Sequence, residues 1–393
     1  MGEESHLTKS LTLFDLILFG VASTMGSGGF NLIGKATQEA GSWWPVPFFI
    51  SVVLLLGASR SYSKTFEVFQ NNTAESDMIR EVLGPVGEKV GTFSILLFNI
   101  VSISTILVFC SQLLFPGKDW GFQIGTALLI LLGMALVSLQ GIDMNKSLIN
   151  GVSTILLVLL TGAAALGGVG VATQPFPDLA KKKSPPKDFF TSTLYFFFIL
   201  AGFDALMKFS EETKDKKHIP HSFYISNLLS AGLTFGIALA ILTWLPNIKE
   251  SQESNALGYL LERFLGTGTA EWVKYSSIVF MVVTTFVVYL SMTRYLYSLG
   301  EQKDSAISFF TQLNENNSPY WAVLCIFVFA AIAILINNVD RLIKLSDMGI
   351  ILTILAVTVS VTLYSLKKGD ITESMIHGIT SLGFVGLFGI TFF

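Results

Sequence analysis

Apolar runs long enough to cross about 30 Å of hydrocarbon as helices recur along the whole chain, at approximately residues 12–36, 43–60, 91–115, 121–141, 147–172, 189–209, 223–245, 274–299, 320–338, 345–365 and 373–393. About eleven transmembrane helices follow from a span requirement of some 20 apolar residues. The intervening loops are too short for a soluble domain. Composition agrees: 51% of the residues are hydrophobic and 13% charged, against about a quarter charged in ordinary soluble domains. The chain reads as an all-α integral membrane protein, 1–393 forming one multi-pass transmembrane domain. A membrane helix pairs its own backbone throughout, so the informative places are those where a span is interrupted.

Two spans look interrupted, the first and the sixth. GVASTMGSGGF, Gly20 to Phe30, places Gly26, Ser27, Gly28 and Gly29 in sequence inside span one. Small residues let membrane helices pack closely, but a packing seam needs one face and four consecutive small residues cover every side. Unwinding is therefore expected there. Span six runs apolar to Ala201 and then meets Gly202, Phe203 and Asp204, a carboxylate at a depth where insertion costs roughly 2.5–3.5 kcal/mol. The two spans are five apart, the pattern of inverted repeats with broken helices at the midplane. Repeat one would be about 12–172, repeat two about 189–365, with an extra helix at about 373–393. Unwinding would turn N–H groups of Ser27, Gly28 and Gly29 towards a carboxylate. Carbonyls near Ala22 and Ser23 would face an amine.

GVASTMGSGGF resembles the first-helix signature of the amino acid-polyamine-organocation (APC) permeases, a Gly-x-Gly core between an apolar helix and a Phe. IREVLGP (Ile79 to Pro85) is similar to the family's segment before helix three. FFFILAGFDALMKFSEETKDKKHIP (Phe196 to Pro220) resembles its sixth helix with the pair Glu211, Glu212. SMTRYLYSLG (Ser291 to Gly300) and LSDMGIILTILAVTVSVTLYSL (Leu345 to Leu366) resemble helices eight and ten, and the matches keep family order. The resemblance implies a LeuT-like 5+5 inverted repeat, with broken helices one and six around a central site. Substrate would be held there by Ala22, Ser23, Met25, Gly26, Ser27, Gly28, Gly29, Phe203 and Asp204, with Phe203 closing over it. Two departures stand out: the helix-two Tyr-x-Glu-Leu pattern reads Tyr62, Ser63, Lys64, Thr65, and Ile149 to Leu157 lacks the lysine of some proton-coupled members.

The function implied is secondary active transport of amino acids, cationic amino acids or polyamines by alternating access, with a non-transporting sensor or regulatory subunit as the alternative. No cofactor is expected; transport would be driven by sodium, by a proton, or proceed as exchange without any ion. Sodium would be held by helix-one carbonyls and the hydroxyls of Thr284, Thr285 or Ser291; a proton would use Asp204. Asp347 in span ten, with Asp204 and Glu211, would favour a cationic solute by Coulomb attraction. Lys208 opposes this, because it lies four residues from both Asp204 and Glu212 and permits neutralising pairs with either.

The remaining side chains exclude other classes. His6, His218, His221 and His377 sit at chain ends or in loops, so no metal site or catalytic cluster is expected and the chain does not read as an enzyme. Cys110 and Cys325 lie in apolar runs, so neither a disulfide framework nor a disulfide-linked accessory subunit is expected. The expected partners are a small-molecule amino acid or polyamine and the lipid bilayer, not nucleic acid. Lys and Arg divide almost evenly between the two sets of loops, with Lys181, Lys182 and Lys183 on the outer set. The N-terminus is expected on the cytoplasmic side.

Overall fold

The computed structural model describes residues 7–174, 186–245, 248–302, 305–336 and 339–392; the expected loop lysines 181–183 lie outside them. Among the described residues thirteen α-helices follow one another: α1 Leu13–Asn31, α2 Ile33–Ala40, α3 Pro45–Val68, α4 Ala74–Leu114, α5 Trp120–Ser138, α6 Ile142–Thr173, α7 Pro186–Leu200, α8 His218–Trp244, α9 Ala256–Leu265, α10 Thr269–Glu301, α11 Tyr320–Leu335, α12 Val339–Lys367 and α13 Ile371–Phe392. Each apolar run falls on a helix, and α2 and α9 are short additions. Among the described residues, nine helices are long and apolar enough to cross a membrane, and Leu13–Gly26 and Tyr320–Leu335 are shorter apolar helices. Large apolar side chains such as Val86, Phe93, Leu129, Val158 and Leu382 are exposed. On helices of this length they form the surface that meets lipid.

Local chemistry sets the helix ends. Pro45 opens α3, where its missing N–H has no helical partner to lose. The Asp119 side chain caps α5 by accepting from the Phe122 N–H at 3.3 Å. Gly84, at φ 73°, precedes Pro85, which disfavours helical geometry at its predecessor. That bend separates a short arm, Ala74–Leu83, from the long apolar part of α4.

Polar contacts tie the loops of one face together. Ser10 and Leu11 N–H groups donate to the Glu212 carbonyl at 2.9 Å each, and Leu11 pairs with Thr213 as a parallel bridge. On the same face Lys146 Nζ reaches the Ser10 carbonyl, Asn314 Nδ2 the Leu139 carbonyl and Ser318 Oγ the Ser138 carbonyl. This is the N-terminal face. α13 packs on α3 and α12, with Arg60 paired to Glu373, and Ser61 Oγ 2.8 Å from His377 Nδ1.

The interruption expected at Gly26–Gly29 is absent. α1 runs as one helix from Leu13 to Asn31, and the chain first departs from it at Leu32. The physical reason is visible at Gly26, where a Cβ would land on Thr284 Oγ1 and lie 2.8 Å from the Phe280 carbonyl oxygen. The glycine lets α10 approach α1 closely, the packing use of small residues in membranes. The Thr284 hydroxyl fixes this approach by donating to the Ala22 carbonyl at 2.6 Å. The surroundings of Ser27, Gly28 and Gly29 lie outside the described residues.

Candidate functional site

The second interruption is present. α7 ends at Leu200, Gly202 takes φ 121°, and Phe203–Phe209 continues as a 3-10 turn. Only glycine adopts that dihedral at little cost, and a Cβ there would lie 2.5 Å from the Ser23 carbonyl oxygen of α1. Two backbones therefore meet at Gly202. Beside them opens a cavity of about 350 Å³ lined by Ser23, Tyr62, Ala201, Gly202, Asp204, Thr284 and Asp347, among others. The C-terminal end of α7 carries the negative end of its dipole, and Phe198 and Ala201 line the cavity beside it.

Three charged side chains line the cavity: Lys35, Asp204 and Asp347, Asp204 being paired with the Lys208 ammonium just outside the lining. Asp347 has no hydrogen-bond or ion-pair partner among the described residues. Asn31, Asn99, Ser102 and Ser346 add neutral polar groups, Ser102 and Ser346 bonding each other at 2.5 Å. The rest of the lining is largely apolar, including Phe98, Phe109, Phe198 and Ile350.

Past Asp204 the structure is sealed on the N-terminal side. Lys208 is wholly buried and donates to Glu75 Oε1 at 2.9 Å, Asp204 Oδ2 at 3.1 Å and the Asp204 carbonyl at 3.1 Å. Arg294 of α10, also wholly buried, forks onto Glu212 at 3.1 to 3.3 Å. Asn72 accepts from Ser210 Oγ and the Glu211 N–H while donating to Ser298, whose hydroxyl reaches Glu211. Phe19 packs edge-on against Phe209 at 5.3 Å. Buried charges persist only when paired and hydrogen-bonded, and here every cation meets a carboxylate.

A family model described as amino acid permease matches residues 11–393. The chain belongs to that family. It is 23% identical to the branched-chain amino acid permease BcaP of Bacillus subtilis (strain 168) over 95% of this chain and 84% of that protein. It is 22% identical to the low-affinity putrescine importer PlaP of Escherichia coli (strain K12) over 85% and 76% of the two chains. It is 25% identical to the chloroplastic cationic amino acid transporter 9 of Arabidopsis thaliana over 78% and 58%. The crystal structure of MhsT in complex with L-phenylalanine superposes with a TM-score of 0.64 at 13% identity, covering 98% of this chain and 100% of that one. The fold is the LeuT-like one and the protein is an integral, multi-pass membrane protein.

In this amino acid permease the cavity collects only part of the expected site. Ser23, Asp204, Thr284 and Asp347 line it. Ala22 does not: its carbonyl is taken by Thr284. Met25 and Gly26 are buried against α8 and α10, the Met25 sulfur accepting from Thr234 at 3.4 Å. Phe203, expected to close over a ligand, is fully buried between Tyr62 and Phe223 at 5.2 and 5.9 Å. The Gly202 turn directs it into the core instead. Thr285 and Ser291 donate to the carbonyls of Met281 and Val288 on their own helix, and so are spent locally. Lys208 does not pair with Glu212, because the 3-10 turn ends at Phe209 and the four-residue register is lost. Glu75, Lys35 and Tyr62 enter only with the fold. Glu75 sits 133 residues from its partner, and no local spacing announces it.

Proposed function

We propose that this protein moves an amino acid or diamine across a membrane by alternating access, with the cavity beside Gly202 as the binding site and cationic solutes preferred. One observation carries the reading: a mostly apolar cavity of about 350 Å³ contains a carboxylate, Asp347, for which the described residues offer no partner. A half-buried carboxylate without a counter-charge favours a ligand that brings one. The volume lies within the range typical of small-molecule sites, roughly 300–1,000 Å³. An ammonium group is served by Asp347, Asp204 and the carbonyl end of α7. A carboxylate, where the solute has one, is served by Lys35.

The relatives' names point the same way, two of the three specifying a cation: putrescine and cationic amino acids. The sealed N-terminal side supports alternating access, since the ion pairs of Lys208 and Arg294 join elements that must part for the cavity to open there. The coupling ion is a proton in this reading. The Asp204–Lys208–Glu75 chain of ionisable groups beside the cavity supports a proton. The test is counterflow in proteoliposomes with radiolabelled arginine, putrescine and leucine, each against its own unlabelled solute. Exchange of arginine or putrescine at a lower half-saturation than leucine supports the reading. Binding of any of them without exchange points to a sensor, and preferred leucine exchange removes the cationic assignment.

A further inference from the structure

Two carboxylates share one ammonium where the N-terminal side is sealed. Lys208 and Glu75 are fully buried, whereas the Asp204 side chain is 18% exposed and lines the cavity. The three N–H donors of Lys208 are matched by Glu75 Oε1, Asp204 Oδ2 and the Asp204 carbonyl. Glu75 Oε2 and the Tyr62 hydroxyl are buried and face each other, the phenol O–H being the donor nearest to that oxygen. With both acids ionised the cluster holds −1 − 1 + 1 = −1. The other titratable groups facing it are phenols, Tyr62 of α3 and Tyr295 of α10, and neither supplies a positive charge. One proton on either acid would cancel the excess.

We infer that Asp204, Lys208 and Glu75 form a relay that binds one proton and passes it between the cavity and the N-terminal face in each transport cycle. The inference rests on the transport reading above and deepens it by assigning the residues that couple. A proton from cavity water adds to Asp204 Oδ2. The Lys208 ammonium then transfers one of its protons to Glu75 while taking the new proton from Asp204. Charge and protons balance: a neutral Asp204 and an ionised Glu75 become an ionised Asp204 and a neutral Glu75, with the ammonium restored. Glu75 lies on the Ala74–Leu83 arm, and Asn72, two residues before that arm, bonds Ser210 and the Glu211 N–H towards the N-terminal face. Separation of that arm from Phe203–Phe209 therefore releases the proton to that side. Asp204 is the cavity end and Glu75 the far end.

The test uses the full chain in sodium-free proteoliposomes with the membrane potential clamped at zero. The probe is whichever of radiolabelled arginine, putrescine or leucine shows counterflow. A one-unit pH gradient, acidic on the uptake side, corresponds to an accumulation ratio of about tenfold at one proton per solute. The unmodified protein reaches that ratio and loses it with a protonophore. Glu75→Gln retains measurable counterflow but no longer concentrates the probe. Equal accumulation by Glu75→Gln, or indifference of the unmodified protein to the pH gradient, overturns the relay. Absence of counterflow with all three probes rejects the transport reading instead. The relay is then decided by infrared titration of the detergent-solubilised protein. A protonated-carboxyl stretch that weakens in both Glu75→Gln and Asp204→Asn upholds it; no such band, or one unchanged in both variants, overturns it.

Discussion

Asp347→Asn isolates the charge on which the proposed cation preference depends. The substitution keeps the shape of the side chain and removes one negative charge from the cavity lining. A solute ammonium about 4 Å from the carboxylate gains about 4 kcal/mol at an effective dielectric of 20. Removing the ammonium from water offsets part of this, and charge-assisted hydrogen bonds typically retain about 1.5–3 kcal/mol net. At 1.4 kcal/mol per decade, half-saturation for arginine or putrescine should rise about 10- to 100-fold. Leucine lacks a side-chain cation, and its α-ammonium keeps Asp204 and the C-terminal end of α7, so its half-saturation should rise less than that of arginine or putrescine. The assay is initial-rate uptake in proteoliposomes across a concentration series for each solute. An equal rise for arginine and leucine, or no rise for either, refutes the assignment of Asp347 to the solute's cation.

Gly202→Ala should abolish transport and lower stability by about 1–3 kcal/mol, the strain of a non-glycine residue at a disfavoured dihedral, read by thermal unfolding in detergent. Gly26→Ala should cost about 1–3 kcal/mol by overpacking against Thr284; Thr284→Ala added to it should recover part of the loss. Lys208→Met should destabilise by about 3–5 kcal/mol because it leaves the buried Glu75 carboxylate without its counter-charge and strips Asp204 of its partner. Adding Glu75→Gln to that variant should restore part of the stability, whereas strict additivity in chemical denaturation would show that the pair does not interact.

The apolar runs were legible because a membrane demands length and hydropathy of every crossing segment, and both are local properties of sequence. The interruption at Gly202 was legible too, since an acid and a glycine inside an apolar run have few innocent uses. Gly26 was read the other way. The same residue serves an unwound turn or a close helix crossing, and what distinguishes them is Thr284, 258 positions away on α10. Phe203 was misplaced for a related reason: a positive dihedral at its neighbour redirects the side chain, and composition carries no trace of it. The Asp204–Lys208 pair follows from four-residue spacing and is present at 3.1 Å. Its third member, Glu75, lies in a polar stretch that looks like an ordinary solvated arm until α4 folds against the 3-10 turn.

The most direct measurement is an electron cryomicroscopy map of the protein with its transported solute bound. Solute density between Ser23, Gly202 and Asp347, with its cationic group beside a carboxylate, is the outcome this account predicts. Solute density elsewhere in the bundle, with that cavity unfilled and Gly202 remote from it, would contradict the account.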